Sequence, residues 1–253
     1  MKITLLGSGT SQGVPVIACE CEVCRSLDYR DKRLRSALHI EVDGLSLVID
    51  TGPDFRQQML NNRINHLDAI LFTHEHKDHT AGMDDVRSFN FKQKCDMPIY
   101  ARDRVLAQLR KEFAYIFAEN KYPGIPKVAE HTIENALFQI QQVPIMPINV
   151  RHHQLDVFGF RIGDFTYITD ANFIEPKELE KIKGSKVLIL NALQKKEHIS
   201  HFTLQEAVAL AHQIGAEKTY FTHISHSMGL HQQVQLELSD NQFLAYDGLI
   251  ITL

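Results

Sequence analysis

A histidine-rich turn that directly follows a short apolar segment constrains the fold of this chain more than any other feature. Residues 69–73 have the length and composition of a buried β-strand, and residues 74–79 (HEHKDH) follow them without a gap. The first two histidines of this motif are two positions apart and can reach one metal ion together, whereas Asp78 and His79 lie past the turn and can reach a second ion. Neutral imidazoles combined with a carboxylate suit zinc, iron or manganese. The motif therefore predicts converging metal ligands at the end of a rigid strand, rather than a polar turn with chance histidines.

Short aliphatic or β-branched runs separated by turns occupy both halves of the chain, and helical patterns follow each block. The predicted strands are 37–42, 45–50, 69–73, 98–101, 136–142, 145–150, 158–162, 165–169, 186–190, 218–222, 242–245 and 249–253. The predicted helices are 102–117, 175–182 and 203–214, and residues 122–130, with two prolines and a glycine, are predicted to form an irregular surface segment or lid. Because no linker or low-complexity stretch separates the blocks, we expect one α/β domain over residues 1–253, a β-sandwich with helices on its outer faces.

Charge and hydropathy limit the partners of the chain. Its 253 residues carry a formal net charge of −4, which argues against a basic surface for non-specific nucleic-acid binding. No apolar run is long enough to span a bilayer, so no membrane partner is expected. The apolar start, residues 1–7, is too short for a signal peptide and is predicted to be a first strand, which points to the cytoplasm.

Three of the four cysteines, Cys19, Cys21 and Cys24, are crowded into six residues. They cannot all pair with one another, and a reducing compartment disfavours disulfides, so a metal site is the favoured interpretation. A closed tetrahedral zinc site needs a fourth ligand, and His226, three residues beyond His223, is the candidate. The alternative is a loop with three reduced cysteines. A structural zinc would tie this loop to the segment that carries His223.

The motif at residues 74–79 resembles the H-x-H-x-D-H signature of the metallo-β-lactamase superfamily, and residues 50–52 (DTG) match a second element of that superfamily. The resemblance implies a four-layer αββα sandwich of the β-lactamase-like type. It also implies three further ligands: a later histidine, a bridging aspartate after a strand and a last histidine after another strand. The sequence offers His152 or His153 for the first of these, Asp170 for the second and His223 for the third.

The resemblance divides these residues between two adjacent ions. The first ion would be held by His74, His76 and His152, the second by Asp78, His79 and His223, and Asp170 would bridge the two. The choice of His152 over His153 is a close one, and His153 is then a neighbour or a substrate contact. Two such ions can share a water and lower its pKa towards roughly 7, which would provide a bridging hydroxide for hydrolysis. Asp78 is predicted to be a catalytic residue as well as a metal ligand.

The cysteine cluster and three further segments resemble one branch of the superfamily, the cyclic-phosphate phosphodiesterases of bacterial phosphonate breakdown. The segments are residues 7–15 (GSGTSQGVP), 50–56 (DTGPDFR) and 82–87 (GMDDVR). This resemblance implies two catalytic divalent ions, zinc or manganese, one structural zinc and a small cyclic or nucleotide-like phosphodiester as substrate. It also implies that His201 is a general acid or a phosphate contact, although His201 could instead be an exposed residue near a helix start. Asp85 and Arg87 would orient ligands or form an ion pair on a helix.

Three other functions compete with this interpretation. An RNA-processing nuclease related to the tRNA-maturing endonucleases shares the histidine set, but the candidate insertion, residues 113–134, is short and of mixed charge, which disfavours an extended nucleic acid. Carboxylic or thioester hydrolases of the superfamily generally lack the cysteine cluster. A non-catalytic metal-binding protein similar to that of pyrroloquinoline quinone biosynthesis would have a degraded reaction centre, whereas the ligand set here is complete. Homodimers are common in the superfamily, so a homodimer is compatible with the resemblance.

Overall fold

The computed structural model describes residues 1–118 and 122–253, and its strands and helices alternate along the chain. The strands are β1 (Lys2–Gly7), β2 (Ala37–Val42), β3 (Leu45–Ile49), β4 (Ala69–Leu71), β5 (Met97–Ala101), β6 (Val128–Thr132), β7 (Phe138–Ile140), β8 (Val143–His152), β9 (Leu155–Ile162), β10 (Phe165–Ile168), β11 (Phe173–Ile174), β12 (Val187–Asn191), β13 (Lys218–Thr222), β14 (Gln242–Leu244) and β15 (Ile250–Thr252). The helices are α1 (Glu22–Arg25), α2 (Phe55–Asn61), α3 (Lys77–Thr80), α4 (Arg87–Gln93), α5 (Asp103–Glu112), α6 (Ala114–Phe117), α7 (Pro176–Ile182), α8 (Leu204–Ile214) and α9 (His231–Gln235). Among these helices none is both long and apolar enough to cross a membrane.

The strands form two mixed sheets. In the first sheet the order is β15-β1-β2-β3-β4-β5-β6, antiparallel from β15 to β3 and parallel from β3 to β6. In the second the order is β11-β8-β9-β10-β12-β13-β14, antiparallel up to β10 and parallel beyond it, with β7 added beside β8. Parallel neighbours begin and end at the same edges, so several loops meet at one edge of each sheet.

Three apolar clusters hold the layers together. The central cluster lies between the sheets, where Ile40 and Leu47 of the first sheet share a core with Phe160 of the second. A second cluster packs α8 and its neighbours on the outer face of the second sheet, and a third packs α2, α4 and α5 on the outer face of the first. The predicted αββα sandwich is thereby confirmed.

The amphipathic helix predicted at 203–214 is present as α8, and its ends show why the sequence forms it. Thr203 is the N-cap, and its hydroxyl oxygen accepts from the backbone N–H of Glu206 while the Glu206 carboxylate accepts from the Thr203 N–H. This capping box satisfies two otherwise unpaired donors. Gly215, at φ 71°, ends the helix in the left-handed conformation that glycine adopts without strain.

Two predicted segments differ from the structure. The helix expected over 102–117 is interrupted at Phe113, where φ −116° and ψ 42° separate α5 from α6 and let the Phe113 ring join the outer core. The segment 122–130 was expected to be irregular, but its last three residues belong to strand β6. The backbone of β5 pairs with β6 in parallel, and the sequence of β6 has no apolar pattern that would predict a strand. The insertion predicted at 113–134 includes residues 119–121, which lie outside the described residues.

Candidate metal centre

The residues predicted to bind the two ions come from strand ends that share one edge of the sandwich. They are His74, His76, Asp78, His79, His152, Asp170 and His223. The first four follow β4, His152 is the last residue of β8, Asp170 follows β10, and His223 follows β13. Asp170 and His223 have positive φ values of 48° and 58°, so the chain turns sharply as each strand ends. The structure brings all seven side chains together.

Two histidine nitrogens and one carboxylate oxygen form the first half of the cluster. His74 Nε2 lies 3.0 Å from His76 Nδ1 and 3.8 Å from Asp170 Oδ2. The His152 ring stands beside the His76 ring, with centroids 5.2 Å apart, and is buried. His153 instead points outward from the turn after β8, at φ 56°. Of the two neighbouring histidines, it is therefore His152 that lies at the cluster.

The second half of the cluster contains two carboxylates and two imidazoles. His79 Nε2 lies 3.2 Å from Asp78 Oδ2 and 3.3 Å from Asp170 Oδ1. His223 Nδ1 lies 3.0 Å from the same Asp170 oxygen. The ligand atoms of these four residues all lie within 4.8 Å of one another.

Asp170 joins the two halves, because its Oδ1 faces His79 and His223 while its Oδ2 faces His74. His79 Nε2 is buried between two carboxylates, yet it makes no hydrogen bond of acceptable geometry among the described residues. A nitrogen that is close to several ligand atoms but bonded to none fits a shared cation between them. The cluster therefore fits a dinuclear metal site.

Residues behind the cluster fix the orientation of its imidazoles. The buried Asp50 carboxylate accepts from His79 Nδ1 at 2.7 Å, from the Thr73 hydroxyl at 2.8 Å and from the Thr73 N–H at 2.9 Å. The Thr73 hydroxyl oxygen in turn lies 2.9 Å from His74 Nδ1. These contacts occupy the nitrogen of each ring that faces away from the cluster, which leaves the other nitrogen for a metal. From the sequence, Asp50 was identified only as part of the DTG motif, and nothing predicted a role for Thr73.

Burial and neighbouring charges shift the protonation equilibria of the cluster. Burial lowers the pKa of His74 well below its usual value, which favours the neutral ring that a metal requires. Burial also opposes the charged form of His79, but Asp78 and Asp170 outweigh it and raise the pKa of His79. Burial raises the pKa of Asp170, yet His223 and His79 outweigh this and hold it well below its usual range. The carboxylate is thus ionised, as a bridging ligand must be.

His201 lies against the cluster from the loop before α8. Its ring centroid is 4.5 Å from that of His152 and 4.8 Å from that of His223. The side chain is buried, and its Nδ1 makes no hydrogen bond among the described residues. Burial lowers the pKa of His201 to about 3, so the ring is neutral near pH 7 and carries one N–H. Its neighbour His198 is exposed.

The three crowded cysteines lie around one nitrogen of His226. The distances from His226 Nδ1 to the Sγ atoms are 3.3 Å for Cys19, 3.4 Å for Cys21 and 3.6 Å for Cys24. A sulfur and a nitrogen bound to one tetrahedral zinc are separated by roughly 3.5 Å. A hydrogen bond from the Cys24 backbone lowers the pKa of the Cys21 thiol to about 6, which favours the thiolate. This cluster can therefore hold a structural metal ion.

The cysteine cluster and the histidine cluster are joined by the short segment 222–226. In this segment the N–H of Ile224 donates to the Ser8 carbonyl at 2.9 Å, and the Ile224 carbonyl accepts from Thr10 N–H at 3.2 Å. Thr10 Oγ1 also lies 3.2 Å from His223 Nε2. The N-terminal loop that carries the cysteines thus contacts a candidate ligand of the second ion.

The third predicted segment, 82–87, lies beside the cluster-bearing helix α3 and forms a different ion pair from the one expected. Arg87 pairs with Asp84, which also accepts from the Tyr115 hydroxyl, and Asp85 is not its partner. Gly82 matters for packing, because a Cβ there would lie 2.2 Å from the Gly52 carbonyl oxygen. The segment therefore packs through its backbone against the loop of residues 50–52, where Gly82 N–H also donates to the Thr51 carbonyl at 2.8 Å.

Comparison with known proteins agrees with this geometry. The Beta-lactamase superfamily domain matches residues 46–224. The crystal structure of a diphosphatase from the PhnP family is 38% identical with a TM-score of 0.93, and the match covers 100% of this chain and 97% of that one. Zinc-bound PqqB from Methylobacterium extorquens shares the fold over the whole of both chains, with a TM-score of 0.81 and 19% identity.

The first of the curated relatives is about twice as long as this chain. A Porphyromonas gingivalis protein named octanoyltransferase is 40% identical over 252 residues, which are 98% of this chain and 51% of that protein. The chain spans about half the length, or less, of the curated relatives it matches. The superfamily match and the full-length similarity to the diphosphatase confirm the resemblance seen in the sequence motifs. The chain belongs to the metallo-β-lactamase superfamily, is homologous to a PhnP-family diphosphatase, and has a histidine and aspartate cluster that can hold metal ions.

Proposed function

We propose that the chain is a metal-dependent phosphodiesterase that hydrolyses a small cyclic or nucleotide-like phosphodiester. The observation that carries this proposal is the position of Asp170, whose two carboxylate oxygens face two separate sets of buried ligands next to the His201 ring. The similarity to a diphosphatase over the whole chain supports phosphorus rather than carbon as the electrophile. All the ligand types that two-ion hydrolysis needs are present.

The proposed ligands of the first ion are His74, His76 and His152, those of the second are Asp78, His79 and His223, and Asp170 bridges. We propose zinc or manganese at both positions, since imidazole and carboxylate suit either ion. When bound, such a pair supplies a water of lowered pKa and neutralises charge on the phosphate oxygens. Asp50 and Thr73 keep the imidazoles of His79 and His74 in the ligating orientation.

Substrate would enter from the side of His76 and Asp78. His76 is exposed and Asp78 is partly exposed, whereas the other ligands of the two sets are buried. The phosphate group can reach the cluster from this side, while the apolar residues of the second-sheet core exclude water from behind His223. A mostly buried cluster that is open on one side suits a small ester that projects its phosphate inward.

We assign His201 to the leaving oxygen. Because burial lowers the pKa of His201 to about 3, the neutral ring can donate one N–H hydrogen bond to the oxygen whose bond to phosphorus breaks. Such a bond strengthens as negative charge develops on that oxygen, which is the condition for transition-state stabilisation. Of the two roles predicted from the sequence, burial favours the hydrogen-bonding contact over the general acid.

We propose a zinc ion at the second cluster, held by Cys19, Cys21, Cys24 and His226. Three thiolates and one imidazole form the closed donor set of structural zinc sites. The proposed zinc steadies segment 222–226 and therefore the His223 ring. We also propose that residues 1–253 form one domain, since the core between the sheets draws on both halves of the chain.

The other functions predicted from the sequence have less support. The protein named octanoyltransferase matches this chain over only half of its length, so its acyl transfer can reside in the other half. Structural similarity to tRNase Z and to PqqB is below 25% identity and shows the fold alone, and the PqqB sequences at 27% and 31% identity match only 54% and 33% of this chain. The test below therefore includes results that would favour an RNA-processing nuclease or a non-catalytic metal-binding protein instead.

The test compares wild-type protein with the variants H152A and H153A after loading with zinc or manganese. Substrates are bis-(p-nitrophenyl) phosphate, a 2′,3′-cyclic nucleotide, a dinucleoside diphosphate and a tRNA precursor, and bound metal is measured in each preparation. We expect wild-type and H153A proteins to bind two catalytic ions and hydrolyse the small esters, and H152A to lose both properties. Cleavage of the tRNA precursor alone would favour the RNA-processing nuclease. Inactivity with both ions bound would favour a non-catalytic metal-binding protein.

A further inference from the structure

Asn172, two residues after Asp170, links two loops of the proposed active site through its side chain. Its Oδ1 accepts from the backbone N–H of His153 at 2.8 Å. Its Nδ2 donates to the backbone carbonyl of Ile199 at 3.1 Å. The first contact lies in the turn after His152, and the second lies in the loop that carries His201.

We propose that Asn172 is a positioning residue that holds His201 against the metal cluster. It does so by connecting the loop that carries His201 to the turn that carries His152. This inference rests on the proposed function of His201 as a donor to the leaving oxygen. It assigns to Asn172 no contact with substrate or metal.

The backbone of Asn172 is itself well fixed. Its N–H donates to the Arg151 carbonyl at 2.8 Å, next to the pairing of β11 with β8. The preceding residue, Ala171, is buried. Its N–H donates to Asn191 Oδ1 and its carbonyl accepts from Asn191 Nδ2, both at 2.9 Å. A side chain that projects from such a rigid segment can restrain a more mobile one.

The loop before His201 has little packing of its own. Residues 195–199 are exposed, and Ile199 exposes 70% of its surface although it is apolar. Its position is set by hydrogen bonds: His152 Nδ1 donates to the Ser200 carbonyl at 2.8 Å, and Asn172 Nδ2 donates to the carbonyl one residue earlier. After His201 the chain is held by Phe202, whose N–H donates to the Ala171 carbonyl at 2.8 Å.

Two of these restraints, from Asn172 before His201 and from the Ala171 carbonyl after it, do not come from a metal ligand. The bond from His152 comes from a proposed ligand, so it depends on the occupancy of the metal site. Asn172 has a neutral amide that uses both of its ends, an acceptor toward one loop and a donor toward the other. Removing the amide should therefore loosen the His201 loop while the ligand set stays complete.

The test uses N172A, which loses both bonds, and N172D, which keeps the acceptor toward His153 but loses the donor toward Ile199. The exposed N61A on α2 is the matched control. Amide hydrogen exchange of residues 197–202 is measured first, with and without zinc. We expect exchange roughly three- to tenfold faster in both Asn172 variants, as loss of one neutral hydrogen bond implies, with unchanged metal content in N172A and no change in N61A.

Kinetics with two leaving groups then separate positioning of His201 from general loosening. The p-nitrophenolate ion leaves without help, whereas a ribose alkoxide needs a hydrogen-bond donor. We expect N172A to lower kcat for the 2′,3′-cyclic nucleotide by about tenfold and for bis-(p-nitrophenyl) phosphate by less than about threefold, with little change in KM and with H201A showing a larger difference of the same kind.

Two results would overturn the inference: unchanged exchange of residues 197–202 in N172A, or faster exchange with equal loss of kcat for both leaving groups. Failure of the proposed function gives a different result, since the wild-type protein would then hydrolyse neither ester. The exchange experiment does not require turnover, so it decides whether Asn172 restrains the loop in that case as well.

Discussion

Acid should destabilise this protein in part through His39, a buried histidine remote from the metal ligands. His39 lies on the outer face of β2, and its Nε2 is 2.8 Å from the Ser46 hydroxyl. That hydroxyl donates its own proton to the His66 carbonyl, so His39 must donate through Nε2. Burial lowers the pKa of His39 from 6.5 to about 4, although Glu41 partly opposes the effect.

The direction of the pH effect follows from this lowered pKa. The unfolded chain takes up a proton near pH 6.5, while the folded protein resists protonation until about pH 4. The contribution to stability is therefore present above pH 6.5 and is lost as the pH falls towards 4. With these two values, His39 should account for about 2 kcal/mol of the free energy of unfolding lost between pH 7 and pH 5.

Urea unfolding of wild-type, H39Q and H212Q proteins at pH 7 and pH 5 measures this contribution. Glutamine can still donate to Ser46 but does not titrate, so the loss of stability between the two pH values should be about 2 kcal/mol smaller in H39Q. His212 is exposed on α8, and H212Q should behave as the wild-type protein does. An H39Q protein with the same pH dependence as the wild-type protein would refute the reasoning.

Three further substitutions test the metal sites and their support. D50N replaces one acceptor oxygen by an NH₂ group that opposes the His79 and Thr73 donors, so the affinity for catalytic metal should fall roughly 10- to 100-fold in a chelator competition, with the exposed D43N as control. C21S should lose one zinc per chain by metal analysis and lower the melting temperature, and unchanged zinc content would contradict the structural site. G52A places a Cβ 2.2 Å from the Asp78 carbonyl oxygen, so its free energy of unfolding should fall by about 2 kcal/mol or more in urea, and its catalytic metal content should fall with it.

The sequence predicted the outline of the fold and the first ligands because those signals are local. The apolar run before His74 and the alternating runs around it predict strands, and the spacing of the motif predicts convergence. The cysteine spacing likewise indicated a metal site, and the structure places His226 beside all three thiols. In each of these cases the residues that gave the signal are close in sequence, although His226 itself is more than 200 residues from the cysteines.

Other features depend on contacts between distant segments, and spacing alone does not reveal them. Only the resemblance to a superfamily pointed to Asp170 and His223, which are more than ninety residues from His74. Thr10 and Asn172 link segments that follow five different strands, β1, β8, β10, β12 and β13, so their contacts depend on how those strands pair. Nothing in their local sequence indicates these roles. Strand β6 was missed for a similar reason, since its polar residues pair with β5 without an apolar pattern of their own.

The backbone at the cluster explains why local rules fail there. Asp50, Asp170 and His223 all have positive φ, at 65°, 48° and 58°, in a region that residues other than glycine enter at a cost of order 1 kcal/mol each. Backbone hydrogen bonds hold each of these turns, such as the bond from Asp50 N–H to the Leu71 carbonyl at 2.9 Å. Glycine would relieve the strain at all three positions, but it would remove the ligand or the carboxylate that orients His79. Selection for the side chain has therefore overridden the backbone preference at the same three strand ends where the proposed chemistry is located.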